Sequence, residues 1–256
     1  MNIKIDKLSF SYSKRKVIED VSVEFSGPGI VGLIGENGSG KSTLIRCMCG
    51  LLKFDKSTIY YNNTDLHTLS VRKRAELFAY VPQRVMHNRE MSVYDYLLLG
   101  RKPYFQWEAG IDDLEIVDAI IEDFKLKPLA FRKMGALSGG ELQKIVIARS
   151  FTQQTPVVYL DEPTNNLDIR YQLELMNILQ EKCSNSKTLV LMAVHDLNLA
   201  YRYSDRLCLM HGGKIFTSGT PEDVLNEENL MEAMGVHCTI QQGREHKFIY
   251  PERLPD

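Results

Sequence analysis

Gly35-Glu36-Asn37-Gly38-Ser39-Gly40-Lys41-Ser42 matches the phosphate-loop pattern G-x-x-x-x-G-K-[ST] at each fixed position. A triphosphate concentrates negative charge, and backbone N–H groups at a helix N-terminus plus one cation neutralise it at least cost. Gly35, Gly38 and Gly40 let the chain curl inward around Asn37 and Ser39. Lys41 is then placed for the β- and γ-phosphates, Ser42 for magnesium and Thr43 for the α-phosphate. Further on, Asp161 follows the apolar run Val157-Val158-Tyr159-Leu160, which puts a carboxylate at the end of a buried strand, where it can hold hydrated magnesium. Glu162 is adjacent and must point elsewhere, so it can polarise an attacking water as general base. His195 directly follows a second apolar run, residues 189–194. Leu137-Ser138-Gly139-Gly140-Glu141 is a second glycine motif at a helix start, another anion site built from backbone dipoles. One triphosphate does not need two such cradles.

The elements that must carry these residues are readable from the pattern. Residues 1–27 read as short antiparallel strands with a turn at Ser13-Lys14-Arg15-Lys16, the first an edge strand. Ile30-Val31-Gly32-Leu33-Ile34 is a short apolar run, the mark of a strand buried on both faces, and it feeds the glycine loop and a helix from Ser42 to Cys49. Phe78-Ala79-Tyr80-Val81 predicts another strand, ending at Pro82-Gln83. Residues 84–135 change to helical spacing, over 93–99 and 111–124, which predicts an inserted helical lobe, with a basic loop Gly100-Arg101-Lys102-Pro103-Tyr104. A helix over 139–153, buried strands at 157–160 and 188–194, each followed by a helix, and a helix capped by Thr220-Pro221 complete the core; a small hairpin turns near Gly243.

The 256 residues, 44% hydrophobic and 25% charged, suffice for one large α/β domain or a main domain with an inserted lobe. With a net charge of −2 and interspersed signs, nothing suggests a general electrostatic grip on nucleic acid. No apolar run approaches the roughly 18 residues of a membrane span, and residues 1–6 lack a signal-peptide core, so a membrane role requires a partner. Cys47, Cys49, Cys183, Cys208 and Cys238 are expected as buried apolar thiols of a reducing cytosol.

Taken in order, the phosphate loop, LSGGE, the strand ending Asp161-Glu162 and His195 resemble the nucleotide-binding subunit of an ATP-binding cassette (ABC) transporter over nearly the whole chain. The resemblance implies a phosphate-loop NTPase core with a parallel sheet (1–83 and 155–256), an N-terminal antiparallel β subdomain and an inserted helical and signature subdomain (84–154). It implies that His195 contacts the γ-phosphate, that Gln83 senses magnesium and water and links core to lobe, and that Tyr12, with Phe10 as the alternative, stacks on adenine. Ser138, Gly139 and Gly140 would cap the ATP of a second copy, and Asn165-Asn166-Leu167-Asp168 would cross to it, although the family usually has serine or alanine where Asn166 stands. Head-to-tail dimers closing on two ATP with Mg2+ follow, on the cytoplasmic face of a membrane, driving separate permease subunits and, indirectly, serving a substrate-binding protein.

Residues 93–104 and His195-Asp196-Leu197-Asn198-Leu199-Ala200-Tyr201-Arg202-Tyr203-Ser204-Asp205-Arg206 are similar to importers of iron-siderophores, haem and cobalamin, a group that also takes oxyanions. The first stretch is expected to be an exposed apolar and basic surface, with Arg101 and Lys102, that receives a permease helix. A soluble cassette ATPase of a cytosolic assembly process stays open at this point.

Overall fold

The computed structural model describes every residue except 106, 166, 244, 245 and 253–256. In chain order the elements are β1 (Asn2–Tyr12), β2 (Arg15–Ser26), β3 (Gly29–Gly35), α1 (Lys41–Met48), β4 (Ile59–Tyr61), β5 (Thr64–Asp65), α2 (Val71–Leu77) and β6 (Phe78–Val81). There follow α3 (Val93–Leu98), α4 (Ile111–Asp123), α5 (Gly139–Thr152), β7 (Val157–Asp161), α6 (Ile169–Ser186), β8 (Leu189–Ala193) and α7 (Leu197–Tyr203). The chain ends with β9 (Arg206–His211), β10 (Lys214–Gly219), α8 (Pro221–Val224), α9 (Glu227–Met234), β11 (Cys238–Gln242) and β12 (Lys247–Pro251). None of the helices is long and apolar enough to cross a membrane among the described residues.

Six strands form the central sheet in the order β10-β9-β3-β8-β7-β6, parallel except for the β9–β10 pair. Successive residues of its inner strands serve opposite faces, as the pleat requires. Ile30, Ile34, Val158, Leu160, Val190 and Met192 join the core shared with α3 to α6, whereas Val31, Leu33, Val157, Tyr159, Leu189 and Leu191 join the core shared with α1, β1 and β2. Burial on both faces is why these strands read as continuous apolar runs rather than alternating ones.

The N-terminal sheet corrects two expectations. β1 and β2 are long, not short, and β1 is not an edge, because the order is β2-β1-β4-β5. Ile3 and Ile5 of β1 pair with Tyr61 and Ile59 of β4, a strand of three residues too brief to announce itself in the sequence. Helix starts, by contrast, follow local chemistry: Ser92, Ser138, Asp168, Asp196 and Thr220 each accept a backbone N–H of the first turn that would otherwise lack a partner. All five cysteines are free thiols, Cys49 half-buried and the others buried, and burial pushes Cys47 up to about 12.

Between β6 and β7 lie α3, α4 and α5, and here the basic loop departs from expectation. Arg101 is buried, 6% exposed, with Nε donating to Asp113 Oδ1 at 2.8 Å and Nη1 to the Thr152 carbonyl at 2.9 Å. Gly100 lets this turn lie against α5, since a Cβ there would overlap Thr152 Oγ1 and the Arg149 carbonyl. Exposure over 93–104 falls instead to Asp95, Leu99, Lys102 and Tyr104. The sequence shows a run of two cations; only packing tells which one is a structural anchor. The Arg101 guanidinium holds the Asp113 carboxyl below the usual carboxylate range. Its stabilisation is therefore present above the ordinary carboxylate pKa and lost as pH falls through the depressed one. Arg101→Glu should lower unfolding free energy by about 3–5 kcal/mol, the cost of breaking a buried ion pair. Lys102→Glu, at an exposed position, should cost less than about 1 kcal/mol. Urea midpoints of the two variants measure the difference.

Candidate nucleotide site

Because the strands are parallel, the carboxyl ends of β3, β8, β7 and β6 open on one edge of the sheet, the edge where α/β sheets bind ligands. β3 leads to the phosphate loop, β8 to His195, β7 to Asp161 and Glu162, and β6 to Gln83. The loop turns into α1 through Gly35 at φ 139°, Gly38 at 83° and Gly40 at 107°, left-handed backbone that favours glycine. Next to it is a cleft of about 320 Å³ lined by Tyr12, Arg15, Asn37, Gly38, Lys41, Ser42, Thr43 and Glu162, among others.

Lys41 is 5% exposed, and its Nζ donates to the carbonyls of Gly35 and Glu36 at 2.8 and 2.9 Å. Burial lowers its pKa, an effect opposed by Glu162, Asp161 and Glu36. Ser42 Oγ donates to Asp161 Oδ1 at 2.6 Å, tying the loop to β7. Asp161 is 1% exposed; its other oxygen accepts from Tyr80 Oη at 3.3 Å and lies 3.7 Å from Arg46 Nη2. Ser39 Oγ is buried in the loop without a protein partner. A hydroxyl paired with a buried carboxylate offers the hard oxygen donors that suit Mg2+, and an unpartnered hydroxyl in a loop of inward-turned backbone suits a phosphate oxygen.

Glu162 follows Asp161 directly but leaves the strand with φ 56°, an uncommon conformation for a side chain of this size, and so turns away from Asp161. Gln83 Nε2 and Asn165 Nδ2 both donate to Glu162 Oε2, and His195 Nε2 lies 2.5 Å from Oε1. A carboxylate held on both oxygens at the mouth of a phosphate-loop cleft is oriented to take a proton from water.

Tyr12 stands 42% exposed at the end of β1 and lines the cleft, with its ring edge-on to Phe10, 4.9 Å between centroids; Phe10 packs back towards the core. Ser138, Gly139, Gly140 and Asp168 are not among the cleft-lining residues. Ser138 caps α5 in a box with Glu141, whose carboxylate accepts the Ser138 N–H and hydroxyl, both at 2.8 Å. Asp168 caps α6 by accepting the Tyr171 N–H at 2.9 Å. Asn166 lies outside the described residues. Sequence reasoning missed Arg46 and Tyr80 at Asp161 and the bond from Asn165 to Glu162. Arg46 does carry a signal, since it follows Ser42 by one helical turn and so shares its face.

The sequence profile of the ABC transporter family matches residues 18–165. The chain belongs to that family. As a member it is an ATP-binding, ATP-hydrolysing transport ATPase. It is 38% identical over 251 residues to an uncharacterised ABC transporter ATP-binding protein of Methanocaldococcus jannaschii, with 98% of each chain covered. It is 36% identical over 254 residues to the petrobactin import ATP-binding protein FpuC of Bacillus anthracis, covering 98% of this chain and 93% of that one. Its fold superposes with a TM-score of 0.81 and 26% identity on the ADP conformation of an ATP-binding cassette of an ABC transporter, over 91% of this chain and 98% of the other.

Tyr12→Ala is expected to weaken ATP binding by roughly 5- to 150-fold, the worth of one base–aromatic stack. Phe10→Ala should leave affinity nearly unchanged. Equilibrium titration of both variants with ATP decides between the rings.

Proposed function

We propose that this chain powers an importer of metal chelates (iron-siderophore, haem or cobalamin) or of a related oxyanion, by closing as a dimer on two ATP and driving a separate permease. The observation that carries the hydrolytic part is the grip of Gln83, Asn165 and His195 on Glu162 beside the phosphate loop. In this reading Gly35, Asn37, Gly38, Ser39, Gly40, Lys41 and Thr43 bind the phosphates, and Tyr12 stacks on adenine. Ser42, Gln83 and Asp161 hold magnesium, which when bound neutralises phosphate charge. Glu162 accepts a proton as water attacks the γ-phosphorus, while His195 keeps Glu162 and the γ-phosphate in register. The γ-phosphoryl bond to the β-phosphate oxygen breaks, leaving ADP and phosphate.

Ser138, Gly139, Gly140 and Asp168 stand away from their own cleft, which fits a head-to-tail pair in which each signature helix covers the partner's ATP. The same reading divides the chain into a core of 1–83 and 155–256 and a lobe of 84–154. Gln83, the last residue of the core before the lobe, is the route by which a permease on the cytoplasmic face of the membrane would feel the nucleotide. Likeness to FpuC and the stretches at 93–104 and 195–206 support import of a chelate, with a substrate-binding protein acting through the permease.

Glu162→Gln should lower turnover by about 10²–10⁴-fold, the usual worth of a positioned base, with ATP affinity retained. It should also accumulate as an ATP-dependent dimer in size-exclusion chromatography, and adding Ser138→Arg should return it to monomer. Near-normal turnover in the first variant, or a dimer that survives the second, would remove those assignments.

The importer part is tested with the protein in its own cell membrane. Affinity purification from detergent extract, read by mass spectrometry, should return an integral membrane permease. Gln83→Ala should keep that complex assembled and lose transport of the cargo. Recovery of cytosolic proteins alone would favour an assembly ATPase instead.

A further inference from the structure

His195 occupies the short link between β8 and α7, so its ring is aimed by whatever fixes those two elements. On the β8 side the link is fixed by backbone, the Val194 N–H donating to the Leu33 carbonyl of β3 at 3.0 Å. On the α7 side it begins at once, since Asp196 is the cap of that helix and accepts the N–H groups of Asn198 and Leu199 at 2.8 and 3.0 Å. A helix of seven residues has little stability of its own, so tertiary ties decide where it lies.

Leu199, Ala200, Tyr201 and Tyr203 bury one side of α7 in the core, and Asn198 supplies a polar tie. Its Oδ1 accepts the Ile249 N–H at 2.8 Å and its Nδ2 donates to the Ile249 carbonyl at 3.2 Å. The amide thus satisfies both backbone groups of one residue of β12, as a neighbouring strand would. Ile249 is 3% exposed, with its side chain in the core beside α7, so the bond joins two surfaces already in contact. One turn along, Tyr201 Oη donates to Glu222 Oε1 of α8 at 2.7 Å. Among the described residues the β11–β12 hairpin pairs only with itself, and it would be marginal if free. A short helix and a two-stranded hairpin are therefore fastened to each other, a few residues beyond the histidine at Glu162.

We propose that Asn198 is a positioning residue for hydrolysis: its paired bonds to Ile249 seat α7 on the C-terminal hairpin and so hold His195 at Glu162. The inference rests on the reading that His195 serves hydrolysis through Glu162. It assigns a task to the Asn198 of the His195-Asp196-Leu197-Asn198 run and to a hairpin that lies outside the phosphate-loop cleft.

Steady-state and single-turnover ATP hydrolysis of the full chain tests it, using Asn198→Ala, Asn198→Asp, His195→Ala and the double variant His195→Ala with Asn198→Ala. Asn198→Ala should lower kcat by about 10- to 100-fold, as small misplacements of a catalytic group do. KM for ATP should stay within about twofold, because the phosphate loop is untouched. Asn198→Asp can still accept the Ile249 N–H but sets an acceptor oxygen against the Ile249 carbonyl, and should do no better than Asn198→Ala. In the double variant, loss of Asn198 should cost nothing beyond loss of His195, the non-additivity of residues acting as one unit. Losses that multiply, or wild-type kcat in Asn198→Ala with His195→Ala inactive, would overturn the proposal. Wild-type kcat in His195→Ala would instead overturn the role of the histidine itself. Should Asn198→Ala fail to give a cooperative urea transition, the same cycle built on Asn198→Asp separates these outcomes.

Discussion

Lys41 and Asp161 are 5% and 1% exposed, and the burial of these opposite charges near one cleft is the constraint on which the rest of the molecule depends. An isolated charge withdrawn from water costs several kcal/mol, so each must be met by fixed partners. Lys41 turns onto two loop carbonyls, and Asp161 collects Ser42, Tyr80 and the outer charge of Arg46. Those partners come from β3 and the loop after it, from α1 and from β6, while Asp161 itself ends β7. The charges can be satisfied only if the parallel sheet has assembled in its proper order, so the chemistry of the cleft and the topology of the fold are one requirement.

The same requirement explains the shape of the surroundings. Parallel strands need crossover connections, and the helices that supply them cover both faces of the sheet. Each strand then ends at the cleft, where the chain is free to leave extended geometry. Glu162 does so at once, with its positive φ, and that departure separates it from Asp161. Two adjacent carboxylates thereby receive different neighbours: hydroxyls and a guanidinium for one, amides and an imidazole for the other. Like charges one residue apart in sequence are kept from competing for one task.

Away from the cleft, structure and function are joined by contacts that do not touch the phosphate loop. The Arg101–Asp113 pair fastens the turn at Gly100 to α4, and the bond from Arg101 to the Thr152 carbonyl and the close approach at Gly100 fasten it to α5, the helix that Ser138 caps. Asn198 fastens α7 to the terminal hairpin. In both places a short element is located by a side chain that completes backbone hydrogen bonds, which is a stiffer constraint than apolar contact alone.

Local chemistry was sufficient to read much of this protein. The phosphate loop, the buried strands at β3, β7 and β8, and the caps at Ser138 and Thr220 are decided by residues close in sequence, because glycine conformation, apolar runs and first-turn acceptors act over a few residues. Asp161 and Glu162 were legible because a carboxylate after a buried strand has few ways to be satisfied. Tertiary structure alone decided the interior place of β1, the burial of Arg101, the cluster of Arg46 and Tyr80 at Asp161, and the clasp of Asn198 on Ile249. These contacts link residues 12 to 115 positions apart in the chain. A residue type states what a side chain can bond, but which partner arrives depends on how distant elements pack. Beyond the helical face that Arg46 shares with Ser42, no local pattern carries that information.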